Sequence, residues 1–76
     1  MNKAQYLNEL QAVAMLYQND IVNREEKSRL IMLAKQSTTK PEAINDFLAE
    51  LYCLRSQVDQ NRQEIIDLAI DEVVMQ

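Results

Sequence analysis

The sequence predicts an all-α protein: a helical hairpin followed by a long C-terminal helix, assembled as a dimeric helical bundle or coiled coil. Three observations predict it. The 76 residues include no Gly and one Pro, so the chain lacks the residue that tight turns between strands most often need. Apolar residues recur at three-and-four spacing along most of the chain, the period of one helical face. Two capping sequences, Asn23-Arg24-Glu25-Glu26 and Thr39-Lys40-Pro41-Glu42, divide that pattern where helices begin.

Helix 1 spans residues 3–18, with Tyr6, Leu7, Leu10, Val13, Ala14 and Tyr17 along one face. Gln18-Asn19-Asp20 are polar turn formers, and Ile21 and Val22 make a short apolar link. Asn23 caps helix 2, with Glu26 three residues later to reach back to the cap's N–H. Its apolar block, residues 30–34, runs nearly all round the helix and predicts a deeply buried end before Ser37-Thr38-Thr39. Thr39 and Glu42 then form the second box, and Pro41 in a first helical turn removes no hydrogen bond the helix needs. From there to residue 76 neither Gly nor Pro interrupts the chain. Residues 1–76 are thus read as one domain, with a hairpin over 1–36 and a long interaction helix over 40–76.

Written in heptads from Ile44, the a positions of that rod are Ile44, Leu51, Val58, Ile65 and Glu72, and the d positions Phe47, Leu54, Asn61, Leu68 and Met75. Eight of these ten residues are apolar, the pattern of a coiled-coil seam. Asn61 in the seam can fix register, and Glu50 and Arg55 fall at g and e positions that face each other in a parallel pair. A second apolar stripe holds Leu48, Tyr52, Ile66, Ile70, Val73 and Val74. A rod of roughly 35 residues is about 52 Å long, against ~22 Å for the hairpin helices. The uncovered apolar residues then call for a second chain. One alternative is a break near 59–61, where Asn61-Arg62-Gln63-Glu64 repeats the capping-box spacing. That break gives a compact four-helix monomer.

The stretch from Leu7 to Ala34 carries Leu7, Leu10, Leu16-Tyr17, then Asn19-Asp20-Ile21-Val22-Asn23-Arg24-Glu25-Glu26, then Leu30 and Leu33. It resembles the SHOCT-type helical hairpin, with Asp20 where that family usually has Gly and Lys27 where it usually has an aromatic. The resemblance covers 28 of the 76 residues and implies an oligomerisation or accessory module rather than a catalyst. Residues 30–47 also follow a helix-turn-helix outline, with Ala34 small at the crossing and Ile44 and Phe47 in buried positions. Its reading face offers Glu42, Asn45 and Asp46, whose two carboxylates would be repelled by phosphates, and only Lys35 and Lys40 could hold them.

Composition narrows the function. No His is present, which removes the usual neutral-pH acid/base and the commonest metal ligand. The net charge of −4 disfavours nucleic acid and anionic membranes as partners. The charge is uneven: six cations face four acids in residues 1–40, but two face eight in residues 41–76, for +2 and −6. Cys53 is the only cysteine, so no internal disulfide forms, and without a charged-then-apolar leader the expected compartment is the reducing cytoplasm. Asp67, Asp71 and Glu72 read as a solvated acidic face rather than a metal site.

The expectation is a small, acidic, non-enzymatic protein–protein interaction module of a bacterium or virus: an adaptor, chaperone or inhibitor with no cofactor, metal or small-molecule substrate. It would bury Ile44, Phe47, Leu51, Leu54, Val58, Ile65 and Leu68 against a partner or its own copy. Glu50, Arg55, Asn61 and Arg62 would set specificity. The alternative is a helix-turn-helix DNA-binding transcriptional regulator.

Overall fold

The computed structural model describes residues 3–74. It contains four helices: α1 (Lys3–Gln18), α2 (Arg24–Ser37), α3 (Ala43–Arg55) and α4 (Gln60–Val74), with no strand among the described residues. Met75, the last expected seam residue, lies outside the described residues.

The first helix has the bounds expected from its sequence. It ends in a left-handed residue, Asp20, at φ 58°. The Asp20 N–H donates to the Tyr17 carbonyl at 3.1 Å and the Ile21 N–H to the Leu16 carbonyl at 3.0 Å. This is a Schellman ending, which usually takes Gly at the left-handed position; Asp is among the few other residues that tolerate it. Ile21 and Val22 are buried, so the link between α1 and α2 is anchored in the core. The capping box at α2 forms as read: the Glu26 N–H donates to the Asn23 side chain at 2.8 Å, and the Asn23 N–H to the Glu26 carboxylate at 2.9 Å.

The second box does not form. Helix α3 starts at Ala43, and Glu42 precedes it with no side-chain cap hydrogen bond. The Thr38 and Thr39 hydroxyls instead donate back to the Lys35 and Gln36 carbonyls at 2.6 and 3.2 Å. They close the end of α2, so Thr39 is engaged there rather than opening the next helix.

The expected long helix over 40–76 is likewise not continuous. It breaks between Arg55 and Gln60 without Gly or Pro. Ser56 leaves α3 in right-handed conformation, at φ −73° and ψ −11°, and its hydroxyl donates to the Cys53 carbonyl at 2.7 Å. Asp59 then opens α4, accepting the Arg62 N–H at 2.9 Å. The break falls beside the 59–61 alternative, but its cap is Asp59 and not Asn61. A rod of about 52 Å has no place in a molecule whose longest extent is 33 Å. The Cα radius of gyration of 11.3 Å matches the roughly 11.4 Å expected for a closed domain of this length.

Each helix packs on its neighbours in sequence, and α4 returns to pack on α1, leaving α1 diagonal to α3. The core gathers Ala12, Val13 and Leu16 from α1, Leu30, Leu33 and Ala34 from α2, Phe47 and Leu51 from α3, and Ile66, Ala69, Ile70 and Val73 from α4. In α3 the inward face is the expected heptad seam; in α4 it is the other stripe. A single rod would have to present one face. A chain that reverses can change which stripe it buries, and this one does. At roughly 1.5–3 kcal/mol for each large side chain, the fold-back covers within one chain much of the apolar surface expected to need a second, leaving Tyr52, Leu68 and Val74 exposed.

Candidate interaction surface

The expected partner-binding residues are scattered by that break. Phe47 and Leu51 have no exposed surface and hold the interior together. Ile44 and Leu54 on α3, Val58 in the connection and Ile65 on α4 are half-buried at the core's edge. Leu68 alone stands clear, at 60% exposure. The expected specificity residues are largely engaged within the chain. Glu50 accepts from Arg29 of α2 at 3.0 Å, Arg55 pairs with Asp67 of α4 at 2.7 Å, and Arg62 pairs with Asp59 at 3.1 Å. Glu50 and Arg55 therefore meet other partners than each other. Asn61 lies exposed in the first turn of α4, outside any core.

A different surface emerges on α1. Its buried residues are Glu9, Ala12, Val13 and Leu16, a face rotated away from the apolar stripe expected there. That rotation leaves Leu7 47% and Tyr17 36% exposed, with Leu10 half-buried and Ala14 exposed on the same side. Between this stripe and α2 runs a groove of about 300 Å³, lined by Leu10, Val13, Ala14, Tyr17, Gln18, Lys27 and Ile31. The Lys27 ammonium sits 4.3 Å from the centre of the Tyr17 ring, within cation–π range.

Helical spacing shows which side chains continue the two faces that line the groove. Arg24, Lys27, Ile31 and Lys35 recur at three-and-four spacing on α2, and Lys3, Leu7, Leu10 and Ala14 do so on α1. Neither stripe carries an exposed carboxylate. On the far side of α1, a second depression of about 310 Å³ is lined by Asn8, Leu68, Asp71 and Glu72. Its α4 wall belongs to a ridge of Glu64, Ile65, Leu68, Asp71 and Glu72, apolar at the centre and acidic at the edges.

Glu9 is the other feature that sequence reading missed. It is fully buried, and the Ser37 hydroxyl lies 3.1 and 3.0 Å from its two carboxylate oxygens. Burial pushes its carboxyl above the ordinary value of 4.5, and the Ser37 hydrogen bond pulls it partly back. No cation pairs with it among the described residues. The signal was present in Glu9, Ala12, Val13 and Leu16, which share one helical face.

Cys53 is free and exposed. No group of three potential metal ligands clusters among the described residues, and no helix among them is long and apolar enough to cross a membrane. No family model matches the chain, and no curated protein or solved structure matches it.

Proposed function

We propose that this chain is a non-enzymatic interaction module that docks an apolar partner surface in the groove between α1 and α2. The observation that carries the reading is the apolar stripe of Leu7, Leu10, Ala14 and Tyr17, left outside a core that is complete without it. Burying Leu7, Leu10 and Tyr17 contributes roughly 1.5–3 kcal/mol each, against an association cost of roughly 4–15 kcal/mol. The docking is therefore weak and reversible, with dissociation constants of about 0.1 mM or weaker.

A photoreactive phenylalanine analogue placed at Ala14, in cells that make the protein, should give an adduct that the same analogue at Asn45 on α3 does not. Absent or equal adducts at the two positions would overturn the reading. The helix-turn-helix alternative would use α2 and the start of α3, where exposed Glu42 and Asp46 carry negative charge toward phosphates. On heparin at low salt the chain should flow through; retention would favour the DNA reading.

A further inference from the structure

We infer that the occupant of the α1/α2 groove is the α4 ridge of a second copy of this chain, an inference that rests on reading the groove as a docking surface. The two surfaces are complementary in charge and in apolar content. The groove is lined mainly by apolar side chains with Lys27 among them, and helical spacing puts Arg24 and Lys35 on the same face of α2 and Lys3 two turns before Leu10 on α1. The ridge places Ile65 and Leu68 between Glu64, Asp71 and Glu72. Exposure agrees with this placement: among the described residues Leu68 is the most exposed of the large apolar side chains, at 60%. The uneven charge of the chain, +2 in residues 1–40 and −6 in residues 41–76, has the same sense. Part of that attraction is satisfied inside the chain by Arg29 and Glu50, but the groove cations and the ridge acids form no ion pairs among the described residues.

The ridge cannot reach the groove of its own chain. Helix α4 packs on a different side of α1 from α2, and its ridge lines a depression that shares no residue with the groove. The contact must come from another copy, and it joins unlike surfaces. Such a contact leaves one groove and one ridge free after each addition, so it continues until a ring closes or concentration limits it.

The test is light scattering coupled to size-exclusion chromatography, with the chain loaded from about 10 μM to about 1 mM. The wild-type mass should rise above the 8.9 kDa of one chain as concentration increases. Ala14→Glu blocks the groove and Leu68→Asp blocks the ridge, both at exposed positions. Each variant alone should weaken association at least about tenfold, the loss of one buried leucine's contribution. Mixed in equal amounts they should form a species of two chains and no larger, because each supplies the surface the other lacks. Thermal unfolding confirms that the variants fold; if Ala14→Glu does not, Lys27→Glu takes its place. A wild-type chain that stays monomeric throughout would overturn the inference, as would a mixture that behaves like its separate components. A monomeric chain whose Ala14 probe captures a different protein would overturn the second copy as occupant and leave the docking reading standing.

Discussion

Replacing Glu9 should stabilise this protein at neutral pH. Its carboxylate is fully buried without a described cation, and its hydrogen-bond donor does not depend on it. The Ser37 hydroxyl lies 2.7 Å from the Ala34 carbonyl, closer than either oxygen of Glu9. Glu9→Leu therefore leaves Ser37 with an acceptor, and burying the leucine contributes roughly 1.5–3 kcal/mol. The charge adds to this. Because burial raises the folded-state pKa above the ordinary 4.5, the folded chain holds this proton to higher pH than the unfolded chain does. The destabilisation is absent below the ordinary value, grows as pH rises, and is complete above the folded value. A gain of about 2 kcal/mol at pH 7 corresponds to about 8–16 °C in Tm for a domain of this size. Urea melts of wild type, Glu9→Leu and Glu9→Gln from pH 4 to 8 measure it. The difference between wild type and Glu9→Leu should widen with pH, and Glu9→Gln should remove the pH dependence while gaining less. A Glu9→Leu chain less stable than wild type at pH 7 would refute the reasoning and make the carboxylate a net tie between α1 and α2.

Other expectations concern packing and chain reversals. Phe47→Ala removes the largest fully buried side chain and should cost about 3–5 kcal/mol, a large part of the roughly 4–11 kcal/mol available to a chain this long; circular dichroism in urea checks it. Asp20→Gly relieves a left-handed residue and should stabilise by about 0.5–1 kcal/mol, read as a higher Tm. Asp59→Ala should cost about 1 kcal/mol as a lost helix cap, whereas Asn61→Ala should stay within about 0.5 kcal/mol; reversed effects in denaturant melts would return the cap to Asn61.

What the sequence made legible was local. The bounds of α1 and the Asn23–Glu26 box rest on residues within a few positions of one another, so their chemistry is complete in a short window. The connection from α3 to α4 was harder, because it uses neither Gly nor Pro. Ser56 leaves the helix without left-handed geometry, and Asp59 caps the next one outside the Ser/Thr-x-x-Glu spacing. The clue lay in the two apolar stripes: Phe47 and Leu51 on one, Ile66, Ile70 and Val73 on the other. Stripes that change face within one segment fit two helices better than one. The surface on α1 was not legible for a different reason. Its apolar residues span a wide arc, and only the positions of α2 and α4 decide which part is covered.

The order in which the helices touch also bears on how the chain reaches this state. Three of the four joints link neighbours in sequence and need only short loops to close, a wiring associated with folding in microseconds to milliseconds. The joint between α1 and α4 is the exception, since it must gather the two most distant helices. It also carries Val13, Leu16, Ile66 and Val73 into one interior. Assembly of this bundle is thus expected to run quickly through its hairpins and to meet its main barrier when the last helix finds the first.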